Sequence, residues 1–294
     1  MSAYANYSSN TSAESYASGR NTVGLETIIG AIATSLKNTK SLHECRVLDA
    51  GCGPGNYCCK IAPLVGKIDC VDNSEAMLSV ASKCAEEKHI GEKCRFIQVD
   101  MNSRFEIGLD SQFYENYDAI YCCQVLQHLQ IDTTKEKEAK FVGAQNALFQ
   151  FYHMLRVGGA LIITLCTRQQ RENGFWWKDL VPNATERFIQ RVPQPEDLRA
   201  MLLNAGFSVL SVANMQIHQE KTETLQRSSE YSNIYGPLEH AWRVADSTWS
   251  LVTSQELEQV TETIKNDKDW PHKAKEMIEK AKNYGQNTTY VVYK

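Results

Sequence analysis

RVLDAGCGPGN, residues 46–56, decides the fold of this chain. Val47 and Leu48 make an apolar strand that runs into Asp49, and glycine then recurs at Gly51, Gly53 and Gly55. Glycine tolerates positive φ and carries no side chain, so a ligand can lie directly against such a backbone. A strand that ends in a glycine loop and leads into a helix makes a small-molecule cradle at the edge of a parallel sheet. Glycine loops also serve as plain turns, so the flanking sequence has to choose between the two.

Downstream, the strand-and-acid pattern repeats. After the helix-like CCKIAPLV comes a second strand, KIDCVD, ending at Asp72. An acid about 20 positions beyond the glycine loop, at the tip of the neighbouring strand, can accept hydrogen bonds from ribose hydroxyls. Asp72 could instead cap the next helix, SEAMLSVASKCAEE, but Ser74 is the better cap. A third strand, CRFIQVD, ends at Asp100, and a fourth, YDAIYCC, leads into QVLQHL. Three acidic strand ends beside a glycine loop suit a ligand with a ribose and a cationic amine, not a polyphosphate. The dinucleotide fingerprint G-x-G-x-x-G is not met: the third glycine comes one residue early and Pro54 has no N–H to donate. No Gly-Lys-Ser/Thr closes a phosphate loop.

The series VLDAGCGPGN, VDNSEAML, VDMN, YDAIYCCQVLQHL and LRVGGALIIT resembles the ordered motifs of class I S-adenosylmethionine-dependent methyltransferases. The resemblance runs over residues 16–294, is strongest over 46–164, and is to the small-molecule type with an N-terminal helical cap. It implies an α/β fold: a doubly wound, mostly parallel seven-stranded sheet of Rossmann-like methyltransferase type, with helical cap and lid insertions. It implies S-adenosyl-L-methionine as cofactor, S-adenosyl-L-homocysteine as product, and in-line methyl transfer to a small-molecule acceptor. A cofactor-binding regulatory or inactive relative is the alternative, and a nicotinamide-dependent oxidoreductase a more distant one. No Asn/Asp-Pro-Pro-Tyr/Phe follows the fourth strand, which argues against methylation of adenine N6 or of glutamine.

Composition narrows the setting. The chain has 294 residues, 43% hydrophobic and 22% charged, with a formal net charge of −4. That balance offers no basic face for non-specific nucleic-acid binding. No apolar run approaches a membrane span, and no apolar h-region follows the polar start, so a soluble cytoplasmic protein is expected. The ten cysteines all lie at or before Cys166. Seven sit on or beside expected strands, where thiols act as small buried hydrophobes, so they read as reduced. Neither C-x-x-C nor H-E-x-x-H occurs, so no metal site is expected. Oligomeric state is not legible.

Along the chain, residues 1–12 read as a loose tail and 13–294 as one domain. Residues 13–40 form the cap, with a helix over 24–36. Gly158 and Gly159 make a turn into a fifth strand, ALIITLC. Residues 167–194 and 218–287 are excursions on the acceptor side. Between them, QPEDLRAMLLNAGF is a helix with Pro195 in its first turn and Gly206 at its end. FSVLSVANMQI reads as the sixth strand and TTYVVYK as the seventh, antiparallel by resemblance. SQELEQVTETIK and WPHKAKEMIEKAK are amphipathic helices, either bracing or forming a lid.

For the cofactor, Gly51, Cys52 and Gly53 would present backbone to the methionine end, with Asp49 as a nearby negative charge. Asp72 would grip the ribose, with Asn73 and Met77 along the adenine. By resemblance, Asp100 and Met101 would meet the adenine edge, Gln124 would lie beside the sulfonium, and Tyr16 and Arg20 would fold over the cofactor. Arg20 could instead be a solvated charge. His128 is the candidate general base on the acceptor side, or else a structural histidine. Tyr16, Trp176, Trp177, Trp249 and Arg191 are the other candidate acceptor contacts. The alternative for the tryptophans is to anchor the excursions.

Overall fold

Val47, Leu48 and Ala50 are buried on both faces of their strand, which is why the opening run is apolar rather than alternating. The computed structural model describes residues 9–37, 39–102, 116–220 and 223–294. Its strands are β1 (Arg46–Ala50), β2 (Lys67–Asp72), β3 (Cys94–Gln98), β4 (Tyr117–Cys123), β5 (Leu155–Leu165), β6 (Gln216–Glu220) and β7 (Asn287–Tyr293). They form one sheet in the order β3-β2-β1-β4-β5-β7-β6. β1 to β5 pair in parallel, and β7 runs antiparallel between β5 and β6. Strand order reverses between β1 and β4, which opens a crevice beyond their carboxyl ends.

The helices are α1 (Asn10–Gly19), α2 (Leu25–Ser35), α3 (Cys58–Ile61), α4 (Glu75–Glu87), α5 (Val142–Met154), α6 (Arg168–Asn173), α7 (Pro182–Ile189), α8 (Pro195–Ala205) and α9 (Val209–Ala213). The short α10 (Ser228–Tyr231) and α11 (His240–Val244) follow, then α12 (Ser254–Asn266) and α13 (Trp270–Ala281). Alternate strand residues feed two cores, as a pleated sheet requires. Leu48, Ile120, Leu161 and Ile163 pack with α5 and α8 on one face. Val47, Ile68, Ala119 and Ile162 pack with α2, α3 and α4 on the other. A third core belongs to the two excursions, which share Phe175, Trp176, Trp177, Trp242, Trp249, Val260 and Trp270. The cap is laced to them: Asn21 N donates to Leu225 O, Arg227 N donates to Gly19 O (both 2.9 Å), and Arg20 bridges Gln226. Among the described residues, no helix is long and apolar enough to cross a membrane.

Three expectations change. FSVLSVANMQI is not a strand. Ser208 caps α9 by accepting from Ser211 N (3.0 Å), and β6 starts only at Gln216. As an exposed edge strand it needs no apolar run. Gly158 and Gly159 lie inside β5, where the register against β4 shifts, rather than ahead of it. The expected tail reaches too far: Ser9 caps α1, so residues 10–12 are already helical, while 1–8 lie outside the described residues.

Candidate active site

The glycine loop is left-handed three times, with φ of +80° at Gly51, +52° at Gly53 and +87° at Gly55. Gly51 N and Cys52 N both donate to Val71 O (2.8 and 2.9 Å), so the loop is lashed to β2. A Cβ on Gly51 would meet Val125 Cγ2 at 2.4 Å, while one on Gly53 would meet nothing within 4 Å. Gly51 is therefore glycine for packing, and Gly53 leaves a bare peptide facing open space.

Asp72 stands opposite. Its Oδ2 accepts from Gly53 N and its Oδ1 from Ser74 N, each at 2.9 Å. Burial pushes its pKa up against the pull of these N–H donors. A carboxylate has about four lone-pair sites, so each oxygen can accept once more. Ser74 is the cap of α4, accepting from Met77 N (3.2 Å).

The turn after β4 supplies the far wall. Gln124 adopts φ +59°, an uncommon conformation for a non-glycine residue. It is held there on three sides. Its N donates to Thr164 O (2.9 Å), its Nε2 to Asn287 Oδ1 (2.7 Å), and its O accepts from Gln127 Nε2 (2.7 Å). The next residues form a 3-10 turn, Leu126–His128, which delivers His128. Burial, then the charges of Arg191 and Arg20, lower the His128 pKa to about 4. Its ring meets the Phe188 ring edge-on at 6.4 Å.

These turns enclose a cavity of about 680 Å³ counting its mouth. Tyr16, Gly51, Gly53, Asp72, Asn73, Met77, Met101, Gln124 and His128 line it, with Ser74, Cys123 and Val125. A second lobe of about 400 Å³ shares Tyr16, Gly51, Gly53, Cys123 and Gln124, and adds Arg20, Cys52 and Tyr57. No residue lining the larger lobe carries a fixed positive charge, so it is a poor seat for a pyrophosphate. A bare glycine peptide, a ribose-competent carboxylate and two methionines fit an uncharged nucleoside instead.

Other expected site residues fall elsewhere. Asp49 lines neither lobe: it is buried in β1, and burial with the charge of Asp72 raises its pKa well above the usual range. With Cys58 and Cys70 it brings three possible ligand atoms within 4.8 Å of one another. They come from three elements, so no linear spacing encodes them. Asp100 is exposed and accepts from the backbone and side chain of Asn102 (3.0 and 2.9 Å). Trp176, Trp177 and Trp249 do not line either lobe; they are 2%, 0% and 5% exposed in the core of the excursions. Arg191 donates from Nε to Gln127 O (3.1 Å), behind the wall that carries His128.

Sequence reading missed a buried ion pair, Arg171 Nη1 to Asp246 Oδ2 at 3.1 Å, each side chain 2% exposed. No local signal marks it: Arg171 sits in the polar run TRQQREN beside the exposed Arg168, 75 residues from its partner.

Residues 47–142 match a family model described as a methyltransferase domain. Over these residues the chain carries a methyltransferase domain, set in a sheet of the class I methyltransferase fold. The Ubiquinone biosynthesis O-methyltransferase of Maricaulis maris (strain MCS10) is 23% identical over 180 residues, 59% of this chain. The chain spans 63% of that relative's length. A candidate methyltransferase from an antibiotic biosynthesis pathway of Anabaena variabilis superposes with TM-score 0.61 at 13% identity, over 89% of this chain and 96% of that one. The YcgJ protein of Bacillus subtilis gives TM-score 0.53 at 16% identity, over 90% and 99% of the two chains. At these identities the likeness is one of fold. The family match ends at the first residue of α5, so both excursions lie beyond it.

Proposed function

We propose that the two-lobed cavity binds S-adenosylmethionine and that this chain transfers its methyl group to a small-molecule acceptor. Bound there, the cofactor supplies a methyl group activated by a sulfonium. One observation carries the reading. Gly53 and Asp72 are joined across two strand ends and share with Met77 and Met101 the larger lobe, whose lining carries no fixed positive charge.

The chain's residues divide the work by lobe. In the larger lobe Asp72 would accept from the ribose hydroxyls, with Asn73, Met77 and Met101 along the base. In the smaller lobe Arg20 would pair with the amino-acid carboxylate, next to the carbonyls of the glycine loop. Tyr16 reaches both lobes from the cap and excludes water between them. His128 is neutral at physiological pH, and its lowered proton affinity suits it to accept a hydrogen bond that orients an acceptor hydroxyl or amine more than to carry off its proton. Orientation of an acceptor in line with the methyl group can contribute about 7–11 kcal/mol of barrier lowering, so the fold need supply little more. The ten free cysteines support a reducing, cytoplasmic setting.

Calorimetric titration tests the reading directly. S-adenosylhomocysteine is expected to bind with one site per chain and NADH not at all. The reverse order of affinity would replace this reading with an oxidoreductase. Labelled methyl transfer into a pool of small metabolites then separates an enzyme from an inactive cofactor-binding relative.

A further inference from the structure

Behind the His128 wall lies a buried cluster of hydrogen-bond donors that the cofactor reading does not use. Arg171 is sandwiched between Phe175 and Phe188, its guanidinium carbon 3.8 and 4.3 Å from the two ring centres. Nη1 holds Asp246 and Thr248 Oγ1 (each 3.1 Å), but buried Nε has no partner. The buried indole nitrogens of Trp177 and Trp249 have none either. These two rings pack at 5.4 Å, and Phe175 lies 5.3 Å from Trp177. Gln127 Oε1, on the wall that carries His128, is likewise buried without a partner.

A buried donor left unsatisfied loses its hydration without compensation and destabilises the fold. Three of them along one chain of packed groups, Arg171, Phe175, Trp177 and Trp249, make sense if a ligand supplies the acceptors. The charge has the same sign. Arg20, Arg171 and Arg191 all bear electrostatically on His128, and among the described residues Asp246 is the acid that opposes them there.

We propose that the methyl acceptor is an organic acid, an apolar body carrying a carboxylate or phosphate, whose oxyanion is received by Arg171 Nε and the indole N–H groups of Trp177 and Trp249. The proposal rests on the reading of the His128 side as the acceptor side. Phe188, which meets both the Arg171 guanidinium and the His128 ring, would link these donors to the acceptor side. Arg20 remains with the cofactor's own carboxylate. The tryptophans thus have an acceptor role after all, as donors set in the core rather than as exposed stacking faces.

The test uses the full chain saturated with S-adenosylhomocysteine, whose own binding is measured first. Benzoate, phenyl phosphate, benzyl alcohol and benzylamine are then titrated by calorimetry. An acid is expected to bind at least tenfold more tightly than the alcohol and the amine, and whichever of benzoate and phenyl phosphate binds better identifies the anion. Trp177→Phe and Trp249→Phe keep an aromatic ring and remove the N–H together with the indole's second ring, so the affinity of each for benzyl alcohol is measured as the control for lost packing. Each is expected to weaken acid binding roughly tenfold and to leave S-adenosylhomocysteine affinity unchanged. Arg171→Met is expected to abolish acid binding, and the two conservative variants decide the matter if that protein does not fold. Equal binding of amine and acid, no acid binding to the loaded chain, or unaltered acid affinity in both Trp→Phe variants overturns the proposal. Failure of S-adenosylhomocysteine to bind would instead strike the cofactor reading.

Discussion

Asp72 is the side chain on which the proposed cofactor recognition turns. It already accepts from Gly53 N and Ser74 N, so it sits at a fixed place with lone pairs to spare. Asp72→Ala is expected to weaken S-adenosylhomocysteine binding by about 1.5–3 kcal/mol, the scale of a lost hydrogen bond to a charged group. Calorimetry reads this as a loss of roughly tenfold to a hundredfold. Unchanged affinity would remove Asp72 from the ribose role. Asp72, Gly53, Gln124 and His128 were legible because each follows a strand whose end the sequence marks. Asp49 and Asp100 were assigned to the site by the same logic, yet one side chain points into the interior and the other to solvent. Strand position fixes depth along the sheet, not the direction of a side chain. The tryptophans show a further limit, since an aromatic residue satisfies a core and a ligand wall equally well. Arg171 was missed because its partner Asp246 is 75 residues away and no local pattern couples them.

The glycine loop is where element geometry makes its sharpest claim. Gly51 and Gly53 share positive φ but differ in surroundings, so alanine should do different things at each. Gly51→Ala puts a methyl into Val125 as well as forcing a left-handed alanine. The expected loss is about 2–4 kcal/mol of folding stability, seen in urea unfolding. Gly53→Ala costs only the backbone strain, about 1 kcal/mol, but its methyl enters the cavity. It should therefore weaken S-adenosylhomocysteine binding far more than it lowers stability. Normal binding by Gly53→Ala would show that this peptide does not face the ligand. Strands β1, β2, β4 and β5 were readable because buried strands are apolar runs with marked ends, the only partly buried β3 by the acid that follows it, and β7 by its alternation. The sixth was not: β6 is polar, and the apolar residues ahead of it include Val209 and Leu210, which stand exposed on α9. Periodicity reports burial, so it misleads where an apolar residue is not buried and where a strand is not covered.

At the scale of the molecule, the α/β sheet supplies one wall and the cap and excursions the other, and His128 is caught between them. Folding lowers the proton affinity of His128, from its ordinary 6.5 to about 4. Between those values the unfolded chain carries an imidazolium that the folded chain rejects. Stability is thus lost as pH falls through this window and is fully present above it. The size is about 3 kcal/mol, at about 1.4 kcal/mol per pKa unit. Asp49 and Asp72 act in the opposite sense, because their folded-state pKa values are raised and their burial penalty fades as they protonate. Total acid stability therefore mixes the two signs. Comparison with His128→Gln isolates the histidine, since both acids are present in both proteins. Urea unfolding at a series of pH values should show the variant gaining on the wild type by about 3 kcal/mol as pH drops from 6.5 to 4. Above pH 7 the difference should be constant. A constant difference across the whole range would mean that His128 titrates as it does in water, and that the roof does not exclude solvent from the acceptor side.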